Sequence, residues 1–321
     1  MTTPAPALVA VEPMPFVTLQ DGGRLGWRRF GVSSSGAMDP WALAAANALV
    51  GNAADAAALE FGYGAGSWRI EAASCRLAVA GGAFRIHLAG QQIPPCHSFV
   101  ARRGQTLRIE GAPDAVWGYL AAAHGYAVPP RLGSLSTHLR SRTGGVEGRA
   151  IQPGDRIALA APEASRGPER SLPLAPSAEP APICAVLGPQ DDRFRAEAIA
   201  ALFDAPWTVT VQSDRLGYCL AGPALAHVET ADIVSDGVVP GCIQVPGSGQ
   251  PIVLMRDCQP PGGYAKIATV ISPDVARVAQ ARPGHTLRFR QVAVAEAQLL
   301  RARYIERLRA LPATLRLRHP D

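Results

Sequence analysis

The chain has 321 residues, 48% of them apolar and 18% charged, with 32 glycines, 29 prolines and a formal charge of +5. That length exceeds what one hydrophobic core usually supports and predicts two domains, and the apolar share excludes a disordered chain. The charge is local: residues 281–321 hold nine arginines against Glu296, Glu306 and Asp321, a +6 that leaves the remainder near −1 and reads as the solvated face of a terminal amphipathic helix, the alternative being a basic tail that touches RNA or an acidic partner.

The first sixteen residues carry neither Lys nor Arg, so they lack the charged start of a signal peptide. No run approaches the ~20 apolar residues that cross a bilayer. A cytoplasmic protein with no membrane or nucleic-acid partner is expected. Six cysteines (Cys75, Cys96, Cys184, Cys219, Cys242 and Cys258) are scattered with no C-x-x-C pair or Cys/His cluster. They are read as reduced, mostly buried small apolar residues, and no metal site or disulfide framework is assigned.

Taken in chain order, the first motif is Gln20-Asp21-Gly22-Gly23-Arg24-Leu25-Gly26, a glycine turn entered from Thr18-Leu19. Ser33-Ser34-Ser35-Gly36-Ala37-Met38-Asp39 then leads into a helix ending at Gly51, with Asp39 as N-cap, Pro40 at the first helical position and an alanine-rich body. Short apolar or alternating runs predict strands at 75–80, 84–88, 106–109, 117–121 and 156–159. Residues 161–182 contain six prolines and no aromatic residue, which predicts a linker between an N-terminal β-rich domain (1–160) and a C-terminal β domain (183–321).

Beyond the linker, strands are predicted at 184–187, 208–212, 243–246, 252–255, 268–271 and 286–290. Asp191 or Asp192 is read as the cap of a helix reaching Phe203, and Ser272 with Pro273 as the opening of another that ends before Pro283. In the tail, Leu300, Tyr304, Leu308 and Leu311 recur at helical spacing, an apolar stripe amid arginines. Three strands follow a similar turn, Gly104-Gln105-Thr106, Gly154-Asp155-Arg156 and Gly284-His285-Thr286. Thr18–Gly26 also resembles Thr210–Gly217, as two related halves with their turns facing one cleft would; coincidence accounts for so short a match equally well. The fold class is mainly β, built of barrels or sandwiches with a few short helices and a C-terminal helix.

Two clusters could carry chemistry. In the first, Asp21, Arg24, Gly36 and Asp39 combine glycine turns, a guanidinium suited to a carboxylate or phosphate, and a helix start. The alternative is that Asp21 and Arg24 only close a turn and Asp39 only caps its helix. In the second, Gln244, Gln250, Asp257, Gln259, Gly262, Gly263, Tyr264 and Lys266 set amides, a carboxylate, a phenol and an amine beside glycine turns. Amides offer donor and acceptor together and suit a planar polar group such as a lactam or urea; the competing reading is glutamines that satisfy strand-edge backbone. Lys266 is the sole lysine beside thirty arginines, as expected either of chance or of an ammonium that Arg cannot replace. No Walker P-loop, G-x-G-x-x-G, G-x-S-x-G or H-E-x-x-H motif occurs.

These residues resemble a known family. Thr18-Leu-Gln-Asp-Gly-Gly-Arg24, Gly36-Ala-Met-Asp39, Gly144-Gly-Val-Glu-Gly-Arg149, Gly188-Pro-Gln190, Ser213-Asp-Arg-Leu-Gly-Tyr218, Pro240-Gly-Cys-Ile-Gln-Val245 and Gly262-Gly-Tyr-Ala-Lys266 are similar to motifs of the KipA family. Its members are also described as 5-oxoprolinase C subunits, allophanate hydrolase subunit 2 and biotin-dependent carboxyltransferase-like proteins. The resemblance implies cyclophilin-like β-barrel domains and association with a KipI-like B subunit and an A subunit, to open a small lactam, 5-oxoproline, to glutamate with ATP consumed by the complex. It implies as alternatives a carboxyltransferase supplied by biotin on another domain, and a non-catalytic KipI antagonist. Carried onto this chain, Asp257, Tyr264 and Lys266 are the catalytic candidates. Asp21, Arg24, Gly36, Asp39, Arg215, Gln244, Gln250, Gln259, Gly262 and Gly263 are the substrate-binding ones. The sequence departs from the family pattern at Pro260-Pro261, at Ala265, where proline is usual, and at Ala123-His124-Gly125.

Overall fold

The structure, a computed structural model, describes residues 5–164, 167–173 and 181–318. Contacts divide the chain into two compact units, one of Met1–Arg24, Ser35–Ser177 and Arg307–Asp321, the other of Leu25–Ser34 and Ala178–Glu306. Much of the expected 161–182 linker, residues 165–166 and 174–180, lies outside the described residues. Within that stretch Glu169–Ser171 is a strand, paired antiparallel with Arg316–Arg318.

The first unit is a sandwich. One sheet runs Arg156–Ala158, Ala7–Pro13, Gly66–Ile70, Thr106–Glu110, Arg85–Leu88, Gln91–Ile93; the other runs Thr18–Gln20, Ala58–Gly62, Trp117–Ala122, Ser74–Ala80, Ser98–Arg102. Strand side chains alternate faces, so Leu77, Val79 and Leu120 enter the core between the sheets with Leu8, Trp68, Ile86 and Leu107. The opposite face presents Ala78, Ala80, Tyr119 and Ala121 to helix α1 (Pro40–Val50). Helix and sheet both offer small residues there, so they approach closely, and Trp117–Ala122 is buried on both faces. Helix α1 begins and ends as expected: Asp39 accepts from the Ala42 amide, and Gly51 at φ +84 stops it.

The second unit is an eight-stranded sheet in the order Thr286–Leu287, Trp207–Val209, Gly217–Ala221, Ile252–Leu254, Cys242–Gln244, Lys266–Val270, Ile183–Leu187, Phe289–Gln291. Its two edge strands are separated in sequence by Arg288 alone, and a single residue spans only a few ångströms. The sheet therefore curls until its edges nearly meet, forming a barrel. Trp207, Ile243, Val253 and Ile267 are fully buried in this unit. The segment Leu25–Ser34 is fastened to it by Arg28, which donates to the carbonyls of Val238 and Gln259, and by Ser33, whose hydroxyl donates to the Cys258 carbonyl at 2.9 Å.

The mainly β, barrel-forming expectation holds. Gly104, Gly154 and Gly284 each take φ between +84 and +87 before a strand, which accounts for the similar turns. Four details differ. The run 286–290 is two strands, because it serves both edges of the barrel. Asp191 opens a 3-10 turn (Asp191–Arg193), and helix α2 (Ala196–Asp204) starts after it with no side-chain cap. Helix α3 (Ser272–Ala279) opens at Ser272 and Pro273 and ends before Pro283 as expected, but its N-cap is Ile271, with no side-chain cap bond. Thr18–Gln20 is a strand, whereas 210–212 belongs to the turn joining Trp207–Val209 to Gly217–Ala221, so the short repeat does not occupy equivalent positions. In the tail, helix α4 (Val294–Ala310) half-buries Leu300, Tyr304 and Leu308 along one stripe, and Leu311 follows it fully buried.

All six cysteines are free and five are buried. Burial pushes the thiol of Cys75 up to about 12 and those of Cys96 and Cys258 to about 11. At neutral pH these three should react with a thiol reagent far more slowly in the native protein than in denaturant; equal rates would contradict the packing. Each unit also buries one tryptophan completely with its indole N–H satisfied, Trp68 on the Ala65 carbonyl at 2.9 Å and Trp207 on the Leu202 carbonyl at 3.0 Å. Trp68→Ala and Trp207→Ala should each cost roughly 3–5 kcal/mol in denaturant unfolding, and a loss below about 1 kcal/mol would argue against either core.

Candidate active site

Asp21, Arg24, Gly36 and Asp39 all belong to the first unit. Asp21 is fully occupied: its carboxylate accepts from the Gly23 amide (2.8 Å), the Ser134 hydroxyl (2.6 Å), the Ser136 hydroxyl and the Leu135 amide (2.6 Å). Arg24, 1% exposed, donates to the Ser136 carbonyl. Gly36, at φ +94, lies so close to the turn that a Cβ would stand 3.1 Å from Gly23. The amides leading into helix α1 are also engaged, Gly36 by Gln20, Ala37 by the Asp21 carbonyl, Met38 by Glu60 and Asp39 by the Tyr119 hydroxyl. This corner is a tightly bonded turn, with no open row of amides at the helix start.

The second unit holds Arg215, Gln244, Gln250, Asp257, Gln259, Gly262, Gly263, Tyr264 and Lys266. Lys266 begins a barrel strand, and its side chain is 3% exposed. Its Nζ donates to Asp236 Oδ2 at 2.8 Å, while the Asp236 side chain remains 52% exposed on the ribbon Asp232–Gly237. Gln190 binds both partners: its Oε1 accepts the Lys266 amide at 3.2 Å and its Nε2 donates to Asp236 at 3.2 Å. The Gly237 amide adds a fourth contact at 2.7 Å. The Lys266 ammonium, followed by the Gly237 amide, holds the Asp236 carboxyl below the usual carboxylate range. Gly188, two residues before Gln190, fits only without a side chain, since a Cβ would overlap the Lys266 carbonyl. Among the described residues Nζ donates to Asp236 alone, which accounts for one of its three hydrogens.

Around this pair, Gln244 donates to the Tyr264 carbonyl at 3.2 Å, and a Cβ on Gly262 would press on its amide at 2.5 Å. Gly263 carries no such restriction, its nearest neighbour being 3.7 Å from a Cβ. Tyr264 is 41% exposed and lines a cavity of about 620 Å³ with His227, Asp232 and Ser248, to which Lys266 does not contribute. Asp257 is closed onto Arg215 in a buried two-pronged ion pair, 2.9 Å on each arm, so it is not brought to Lys266. Gln250 pairs with both backbone groups of Gly222 at 2.9 and 3.1 Å, and Gln259 offers its carbonyl to Arg28. Ala265 donates its amide to the Ala231 carbonyl at 3.0 Å, a bond that the proline expected there could not make. Sequence reasoning passed over Asp236 and Gln190 as site residues. Their signal was present: Asp236 stands just upstream of the second cluster, in the segment that leads to Pro240-Gly-Cys-Ile-Gln244, and Gln190 ends the Gly188-Pro-Gln motif.

Among the described residues no helix is long and apolar enough to cross a membrane, and no group of three or more His, Cys, Asp or Glu is placed to hold a metal. The profile described as "Carboxyltransferase domain, subdomain A and B" matches residues 30–291. Proteins named as the C subunit of 5-oxoprolinase match at 35% identity in Haemophilus influenzae, over 92% of this chain and 95% of that protein, and at 36% in Escherichia coli, over 91% and 94%. Among solved structures, TTHA0988 aligns with a TM-score of 0.80 and 38% identity over 89% of this chain and 55% of that one. Kluyveromyces lactis urea carboxylase aligns with a TM-score of 0.88 and 25% identity over 97% of this chain and 29% of that one. The chain belongs to the carboxyltransferase-domain family that the 5-oxoprolinase C subunits share with the urea amidolyases.

Proposed function

We propose that the chain is the C subunit of an ATP-dependent 5-oxoprolinase, working with a KipI-like B subunit and a separate A subunit to hydrolyse 5-oxoproline to L-glutamate. The observation that carries this reading is the end-to-end match: the chain spans 95% and 94% of two proteins named as 5-oxoprolinase C subunits, but only 16% of the Saccharomyces cerevisiae urea amidolyase. Opening a lactam adds water across its amide, and the carbonyl oxygen gains negative charge as water attacks. Preorganised donors facing that oxygen stabilise the transition state. Lys266 supplies them in this reading, with Asp236 fixing the ammonium, Gln190 holding that carboxylate and the Lys266 backbone amide, and Gln244 bonding the Tyr264 carbonyl. Tyr264, exposed at a cavity that Lys266 does not line, contributes to ligand binding in this reading and not to the oxygen that Lys266 meets. ATP is consumed at the level of the complex, and no residue of this chain is assigned to hold it.

A second reading, carboxyl transfer to a urea-like substrate, is favoured by the TM-score of 0.88 with urea carboxylase over 97% of the chain. The carboxyl group would then arrive on biotin attached to another protein, because the sole lysine here is buried on Asp236. The two readings separate on mixing A, B and C subunits with ATP and 5-oxoproline. The oxoprolinase reading expects glutamate only when all three are present; glutamate without this chain, or none from the full set, would contradict it. Lys266→Met retains the buried stem and removes the charge. It should lower turnover by about 10²-fold or more, while the melting temperature stays within a few degrees because Asp236 faces solvent. A wild-type rate in that variant would remove Lys266 from the mechanism.

A further inference from the structure

The loop of residues 144–148 lines a cavity of about 510 Å³ in the first unit, together with Arg131, Arg142 and Arg156. Its glycines serve close packing. A Cβ on Gly144 would overlap Arg24 and the Ser136 carbonyl, one on Gly145 the Thr137 hydroxyl, and one on Gly148 the Arg142 backbone. Arg142 and Glu147 hold left-handed backbone at φ +50 and +55, and Gly144, Gly145 and Gly148 are left-handed as well. A left-handed residue beside a right-handed one turns successive amides toward a common concavity, an arrangement that holds anions. Gly145, Gly148 and Arg149 spend their amides on the carbonyls of Leu135, Gly144 and Val146, whereas Gly144, Val146 and Glu147 donate to no acceptor among the described residues.

The side chains supply matching charge. Glu147 is paired with Arg149 at 3.0 Å, Arg149 also with Asp155 at 2.6 Å, and Arg156 with Glu71, so those charges are answered. Arg131 and Arg142 have no side-chain partner among the described residues, and both line the cavity. The buried guanidinium of Arg24 stands directly behind Gly144. Two forked guanidinium groups beside free amides match the several oxygens of a phosphate better than the two of a carboxylate. The volume and the apolar wall of Ala127, Val128 and Pro129 leave room beyond a bare ion.

We infer that this cavity binds the phosphate group of a small phosphorylated molecule through Arg131, Arg142 and the loop of residues 144–148. The site goes beyond the proposed activity and does not depend on it. Titration calorimetry on the full chain with phenyl phosphate and with inorganic phosphate tests it. One saturable site is expected, weakened at least about tenfold in the Arg131→Ala/Arg142→Ala double variant, since each charge-assisted bond is worth more than that factor. Arg102→Ala/Arg103→Ala, on an exposed turn elsewhere, should leave the affinity unchanged. Tighter binding of phenyl phosphate would assign the site to an ester, and equal binding to the free ion. No saturable heat with either probe, or equal losses in the two double variants, would overturn the inference.

Discussion

Taking an ammonium out of water costs several kcal/mol unless a counter-charge meets it, and the only lysine of this chain is 3% exposed. That constraint organises the second unit. Asp236 must come within reach of Nζ, so the exposed ribbon Asp232–Gly237 has to run beside Pro261–Tyr264, and the ladder sets Asp236 opposite Gly262. Gln190, delivered by the turn after Ile183–Leu187, ties the lysine backbone and the aspartate carboxylate with one amide. Three segments distant in sequence are thereby fixed around one cation.

The contrast with the arginines is informative. Arg215 meets Asp257 with two parallel bonds, and Arg24 is locked against the Ser136 carbonyl. A planar fork spends its donors in fixed directions, which suits a structural clamp, whereas a compact ammonium bonded once keeps donors available. The same logic separates Asp257, enclosed by its partner, from Asp236, which holds its partner from the solvent side.

Local signals were readable where local forces decide. The Asp39-Pro40 start and Gly51 stop of helix α1, and the glycine turns at Gly104, Gly154 and Gly284, follow from caps and backbone sterics alone. The run 286–290 could not be divided from sequence, because its break depends on the barrel needing both edges from one segment. Strand Ala58–Gly62 escaped notice because its apolar pattern is interrupted by Glu60, a buried carboxylate that bonds Tyr119 and the Met38 amide. Gln244 and Gln250 were legible as polar residues at strand edges, but which of them stands near the lysine was not. Gln250 bonds Gly222, Gln244 bonds the Tyr264 backbone, and only tertiary pairing distinguishes the two.

A chain with one lysine gives one signal when lysine side chains alone carry nitrogen and carbon labels, so the Lys266 ammonium can be observed directly by NMR. Because Lys266 and the Gly237 amide hold Asp236 below the ordinary carboxyl value of about 3.9, the ion pair persists through mildly acid pH and is lost only as pH falls further. The account predicts a resonance that stays constant down to about pH 4, shifts below it, is displaced at neutral pH by Asp236→Asn, and moves when 5-oxoproline is added to the assembled subunits. A signal at the position of a solvent-exposed lysine, indifferent to the aspartate substitution and to the lactam, would contradict it.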